Sequence, residues 1–438
     1  MKTFKIGGIH PDAAKLTAAQ PIHIIDEPDV LTLMLGQSIG KPAKAVVKAG
    51  DIVAQGQLIA EADGVMSANV HAPRAGKVSK LAKVRNPQGY WSDAIIIDVD
   101  HTADPVEYVP MDAAEVEALD SGAIIDAIRR AGIVGMGGAA FPTAVKLTPP
   151  QGMVPDVLII NGAECEPYLT CDDRLMREEP DGIVRGAHLL MRAIGVSRCM
   201  IGIEHNKPEA ISAMSQAAQA FEGIEVVTLK TKYPQGGEKQ LITALTGREV
   251  PSGQLPVSVG AIVDNVATAF AVYEAVYLRK PLIERVLTVT GPDLDHPGNF
   301  RAPIGTALSH LINLAGGCPE SAELKVVAGG PMMGRAVKDT DSPSVKATSG
   351  LLVLDGKAIE RPAEQNCIRC GRCLNACPMG LEPYLFIAQA RRQMWPEMKQ
   401  NFVMDCIECG SCSWSCPAHK PLLDFIKLGK LEIRKRKL

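Results

Sequence analysis

Eight of the twelve cysteines in this chain fall between Cys367 and Cys416, in two groups of identical spacing. The first group is Cys367, Cys370, Cys373 and Cys377, followed by Pro378. The second is Cys406, Cys409, Cys412 and Cys416, followed by Pro417. Each reads C-x2-C-x2-C-x3-C-P, a run in which three thiolates wrap one corner of a 4Fe-4S cubane while the fourth reaches the other cluster. The spacing assigns one cluster to Cys367, Cys370, Cys373 and Cys416, and the other to Cys406, Cys409, Cys412 and Cys377. Each proline ends a ligand loop with a fixed φ. Structural zinc sites also use C-x2-C pairs, but they gain nothing from the repeated x3-C-P tail.

The rest of the composition is that of an ordinary soluble protein. Apolar residues make up 46% and charged residues 22% of 438, enough for roughly two to four domains with cores of their own. A formal charge of −3 argues against a general nucleic-acid binder. The sequence shows neither an apolar run of about 18 residues nor a basic-then-apolar leader, so a reduced, non-exported chain without a membrane span is expected. Clustered rather than dispersed cysteines agree with metal ligation instead of a disulfide scaffold. Of the remaining four, Cys199 and Cys318 read as core residues, and Cys165 and Cys171 as structural.

From about residue 118 the pattern alternates helices with buried strands, as in a parallel α/β sheet. Ser121 can cap a helix with Ile124, Ile125 and Ile128 on one face. Strands are expected at 157–160, 199–203 and 224–229, with helices at 182–194 and 209–221. Four polar insertions stand out. Gly135, Gly137 and Gly138 form a loop whose amides can approach a phosphate or flat ring, with Lys146 just beyond. Asn161, Glu164 and Glu166 follow a buried strand, where α/β proteins place ligands. Gly236, Gly237 and Glu238 open another helix, and Asn265 interrupts an apolar stretch. Singly, each reads more readily as a tight turn or a solvated carboxylate than as a ligand site, and the glycine spacing is not G-x-G-x-x-G.

In combination these motifs resemble the flavin-binding subunit of respiratory complex I, whose patterns are G-R-G-G-A-G-F-P-T, N-A-D-E-x-E-P and N-N-V-x-T. With the N-terminal Phe4-Lys5-Ile6-Gly7-Gly8-Ile9-His10-Pro11, the 233–238 loop and the tandem cysteine motifs, the whole chain resembles the RnfC family more closely. That resemblance implies FMN over Gly135–Gly138, with Lys146, Asn161, Glu164 and Asn265 around it. It also implies NADH near Glu164, Glu166 and the loop Gly236, Gly237, Glu238. A peripheral subunit on the cytoplasmic face of a membrane complex would follow, exchanging electrons with partner subunits that couple the flow to ion movement. The flavin joins a two-electron nicotinamide to one-electron clusters, so no nucleophile or general base is nominated. Met136, Ala140 and Ala163 depart from the complex I pattern at an arginine, a glycine and an aspartate.

The expected fold is therefore multidomain α/β and α+β. Residues 1–115 hold an extension and a flattened, lipoyl-like β-sandwich without a carrier lysine, since none lies between Lys48 and Lys77. Residues 116–282 form the FMN/NADH α/β domain. Residues 283–358 resemble a β-grasp, soluble-ligand-binding module, expected to pack or dock. Residues 359–438 form a ferredoxin-like α-helical segment ending in a basic tail, read as solvated or as contacting lipid or acidic partners. Two rivals remain: a flavin and iron–sulfur cobalamin reductase, whose family begins near the glycine loop, and a two-cluster carrier whose α/β domain is empty.

Overall fold

The computed structural model describes residues 1–317, 324–356 and 359–438, so Cys318 lies outside the described residues. At its centre four strands, Ile224–Leu229, Cys199–Glu204, Val157–Gly162 and Ala261–Asn265, pair in parallel in that order. Both faces are buried, which is why these strands read as nearly unbroken apolar runs. Leu158, Ile160 and Ile201 point into the core shared with Ile183, Leu190 and Val272, whereas Val157, Ile159 and Met200 pack on Leu241 and Ile242. Helices Pro180–Ile194 and Val266–Tyr277 cross so closely that a Cβ at Gly186 would fall inside the backbone of Ala269.

The helix expected to start on Ser121 is capped one residue earlier. Asp120 Oδ1 accepts from the Ala123 amide at 2.7 Å; a carboxylate there also suits the positive end of the helix. The other expected helices run Pro180–Ile194 and Pro208–Ala218.

The N-terminal sandwich stacks an antiparallel sheet of Val30–Met34, Trp91–Val99, Gly76–Arg85 and Ile52–Val53 on a smaller one of Lys44–Ala45, Leu58–Glu61 and Val70–His71. A mixed sheet with helix Leu308–Leu314 packed on it forms the third module. Its edge strand Ile22–Ile24 comes from the N-terminal extension and pairs in parallel with Gly298–Pro303. The buried Lys346 ties three modules together: its Nζ donates to Asn69 O and Gly132 O, and its amide to Gln37 Oε1.

Helices Pro383–Arg391, Trp395–Gln400 and Leu422–Arg436 enclose the C-terminal core around Phe386, Met398, Ile426 and Ile433. The basic tail is thus not frayed: from Lys427 to Arg436 it is part of that helix, and Lys430 is buried. No helix among the described residues is long and apolar enough to cross a membrane.

Candidate functional site

In chain order the central sheet runs third, second, first, fourth, so the strand order reverses between Val157–Gly162 and Ala261–Asn265. A crevice at the carboxyl ends of such a pair is where open α/β sheets bind ligands. Asn161 and Asn265 are direct partners across this pair. The glycine loop lies against them, because a Cβ on Gly137 would sit 3.0 Å from that of Asn265. Nothing stands within 4 Å of a Cβ built on Gly138, and Gly137 and Gly138 are exposed. The loop is held from behind: the Gly135 amide donates to Phe141 O at 2.8 Å, Met136 N to Thr268 Oγ1 at 3.0 Å, and Arg285 Nη2 to Met136 O at 3.2 Å. Ala140, where the complex I pattern has glycine, takes φ +51°.

Lys146 is not free. Its Nζ donates to Val263 O at 2.6 Å and lies 3.6 Å from Asp264 and 3.9 Å from Glu238. Burial raises the pKa of both carboxyls, and Lys146 opposes that rise. Both Asp264 oxygens are buried without a hydrogen-bond donor. An open glycine cradle beside two asparagines and orphaned carboxylate acceptors suits a flat ring carrying a polyol chain, so the residues fit FMN.

Glu164 and Glu166 serve the protein more than solvent. Glu164, at φ +46°, caps helix Cys171–Glu178 by accepting from Asp172 N at 2.7 Å and Asp173 N at 3.2 Å. Asp172 Oδ2 in turn accepts from Asn265 Nδ2 at 2.7 Å. Burial raises the pKa of both carboxyls. Glu166 accepts from Met332 N at 3.1 Å and Met333 N at 2.8 Å, docking the third module onto the α/β domain. Lys15 Nζ gathers three carbonyls of this loop, those of Glu164, Glu166 and Leu169, and Lys207 Nζ holds Ala163 O. Cys171 and Cys199 are buried. Asp172, Asp264, Lys15, Lys207 and Arg285 were not singled out from the sequence. Asp264 carried a signal, a lone charge in a buried strand; Lys15 carried none.

The loop before helix Glu238–Thr246 joins this crevice to the cysteines. Asn161 Nδ2 donates to Gly236 O at 2.9 Å, and Gly236 N donates to Cys165 Sγ at 3.3 Å. Gly237 caps the helix, and a Cβ there would crowd Gln240. At the other end the buried Tyr233 hydroxyl donates to Cys409 O at 2.9 Å. Tyr233, Ile9, Ala376 and Cys409 form one apolar cluster against which Cys165, Met332 and Ile407 pack.

Cys377, Cys406, Cys409 and Cys412 line one pocket walled by Phe386, Leu423 and Ile426. Burial first, then the neighbouring thiols including Cys377, pushes Cys412 up to about 12; burial pushes Cys406 up to about 11, opposed by the Glu408 amide and Lys430. Four thiols with no histidine or carboxylate among the lining residues fit a cubane, whose iron would keep them ionised. Amides already aim at the sulfurs: Leu381 N at Cys377 Sγ, 3.3 Å, and Glu408 N at Cys406 Sγ, 3.4 Å. Lys430 pins this loop through Cys406 O at 2.8 Å and Glu408 at 2.6 Å. The other set is outermost: Cys367 and Cys370 are exposed, and Cys416 is near enough to Cys373 to raise its pKa, after burial.

Family models match four segments: an RnfC barrel sandwich hybrid domain at 2–102, a Nuo51 FMN-binding domain at 128–274, an SLBB domain at 286–336 and a 4Fe-4S dicluster domain at 361–420. A relative from Clostridium ljungdahlii, named as part of a proton-translocating ferredoxin:NAD(+) oxidoreductase complex, is 46% identical over 99% of this chain and 94% of its own length. The Acetobacterium woodii protein, named as part of a Na(+)-translocating ferredoxin:NAD(+) oxidoreductase complex, is 42% identical over 98% and 97%. A Rhodobacter capsulatus relative, named as part of an ion-translocating oxidoreductase complex, is 42% identical over 88% and 74%. Among solved structures, an NAD+-reducing nickel–iron hydrogenase shares the fold with a TM-score of 0.52 and 21% identity, over 74% of this chain and 63% of that one. With relatives above 40% identity matched over nearly its whole length, the chain belongs to the RnfC family of ion-translocating oxidoreductase complexes.

Proposed function

We propose that this chain exchanges electrons between NADH or NAD+ and partner subunits through FMN and two 4Fe-4S clusters. It would do so as a peripheral subunit on the cytoplasmic face of a membrane complex, with ion movement driven by the partners. The names of its relatives support this reading, and so do the FMN-binding and dicluster family models. The observation that carries it is packing continuity: the 233–238 loop contacts Asn161 of the crevice at one end and Cys409 at the other.

Gly135, Gly137, Gly138, Lys146, Asn161, Asp264 and Asn265 would hold the flavin, and when bound it supplies the exchange between two-electron and one-electron carriers. Glu164, fixed by Lys15 and Asp172, shapes the rim against which NADH would stack, and Glu166 holds the module that closes that side. Gly236, Gly237 and Glu238 offer the start of a helix to an anionic group. The apolar cluster of Ile9, Tyr233, Ala376 and Met332 excludes water between crevice and inner cysteines. The set Cys377, Cys406, Cys409 and Cys412 would then be the inner relay, and Cys367, Cys370, Cys373 and Cys416 the outer one.

Anaerobic stopped-flow mixing with NADH tests the reading. Flavin absorbance should fall first and cluster absorbance after it. Cluster reduction with no flavin change, or no reduction of either, would defeat the proposal and leave a two-cluster carrier on a docking scaffold.

A further inference from the structure

Two cysteines of the outer set, Cys367 and Cys370, lie in a stretch, 361–370, whose residues are all exposed. Ile368, between two ligand positions, is 70% exposed. Arg369 and Arg372 beside it are exposed too, and among the described residues neither makes an ion pair. Of the neighbouring charges, Glu364 bonds Arg391 and Lys420, and Arg361 bonds Asp424 at 2.7 Å, while Glu360 and Glu382 are exposed without an ion pair among the described residues. The pair of Arg361 and Asp424 joins the segment to helix Leu422–Arg436. The outward stripe of this helix continues from Asp424 through Lys427, Leu428, Leu431, Arg434 and Lys435, with Leu428 at 42% and Leu431 at 59% exposure. Exposed apolar residues bordered by unpaired cations therefore lie both in the outer ligand loop and on the last helix, and the Arg361–Asp424 pair ties the two together.

We propose that this face docks an acidic one-electron carrier domain, with Ile368 at the contact centre and Arg369, Arg372 and the helix cations steering it. The inference rests on the reading that Cys367, Cys370, Cys373 and Cys416 hold a cluster. One electron leaves that reduced cluster and reduces the oxidised centre of the carrier; no bond forms or breaks and no proton moves, and the reverse transfer uses the same face. The charge pattern matches this occupant, because complementary charges raise encounter rates and exposed apolar centres seal small redox contacts. A lipid surface is the rival occupant of the helix stripe. It would not account for unmatched arginines and an exposed isoleucine inside the ligand loop itself.

The test uses the cluster-loaded full chain, reduced with dithionite, and follows its oxidation in the stopped flow by two haem-protein probes. One probe is acidic; the other is basic cytochrome c. The acidic probe should react fast at low salt and slow as salt rises, while cytochrome c shows the opposite trend. R369E/R372E, and separately K427E/R434E outside the ligand loop, should each slow the acidic probe by about tenfold and speed cytochrome c. Iron content and the cluster electron paramagnetic resonance (EPR) signals serve as controls. Unchanged acidic-probe rates in K427E/R434E and in R369E/R372E with clusters intact would overturn the proposal. So would salt-independent rates, or loss of binding to anionic phosphatidylserine vesicles with acceptor rates unaltered, which would assign the stripe to lipid. An unmodified chain that shows one cluster signal instead of two would instead remove the reading beneath it.

Discussion

Lys15 shows how one side chain far away in sequence can shape a loop: its three hydrogen bonds to Glu164, Glu166 and Leu169 carbonyls fix a turn with two left-handed residues, Glu164 and Tyr168. Ala140 is a second residue held in a left-handed conformation, and its methyl costs about 1 kcal/mol there relative to a residue without one. Ala140→Gly should therefore raise the midpoint of thermal unfolding, measured by calorimetry, and Ala140→Val should lower it. Lys346 adds a pH dependence. Burial lowers its pKa to about 7 in the folded chain, against about 10.4 in the unfolded one. Below about 7 both states carry the proton and the penalty is full. Between those values the unfolded chain binds more protons, so stability rises with pH. The rise should be about 2 kcal/mol from about pH 7 to 9 in denaturant titrations, and Lys346→Met should lack that slope. The cysteines, glycines and Asn265 were legible in the sequence because their chemistry is tied to a local spacing. Lys15 and Lys346 were not, since each bonds carbonyls more than 140 residues away along a chain with no pattern to mark them.

At the scale of elements, the strands were readable because burial on both faces leaves apolar runs, and their ends were set by the polar residues that reach the crevice. The strand Ile22–Ile24 was not readable, because only its distant partner Gly298–Pro303 makes it a strand. The role of Glu166 escaped for the same reason. Its carboxylate anchors the turn 329–334, and Gly330 is required there, since a Cβ would fall on the Glu166 side chain. Glu166→Ala should remove the acceptor of the Met332 and Met333 amides, costing about 1 kcal/mol because water can reach them. Hydrogen exchange at those two amides should speed up while the central sheet stays protected. Unchanged exchange would show that the turn is held by other contacts. Lys430, read from sequence as part of a solvated tail, instead pins the inner ligand loop. Lys430→Met should shorten the lifetime of the inner cluster in air, followed by its visible absorbance.

Across the whole molecule, the N-terminal segment is the thread that joins modules. Lys2 bridges to Leu229, Ile9 pairs with Tyr233, Gly8 donates to Ala376 O, and residues 22–24 enter the third sheet. Gly7 lies so close to the Cys377 carbonyl that a Cβ would fall inside it, and its φ is +65°. Gly7→Ala should push the cluster segment away from the α/β domain, slowing cluster reduction by NADH while flavin reduction keeps its rate. Equal slowing of both steps would mean that the segment supports the flavin crevice instead. On this reading one chain holds a flavin and two cubanes in working contact. The most direct test is anaerobic purification with iron, acid-labile sulfide and acid-released flavin measured on one sample, then exposed to NADH. About eight irons and one FMN per chain, bleached by NADH, are expected. About eight irons with no flavin, even after FMN is added back, would contradict that reading.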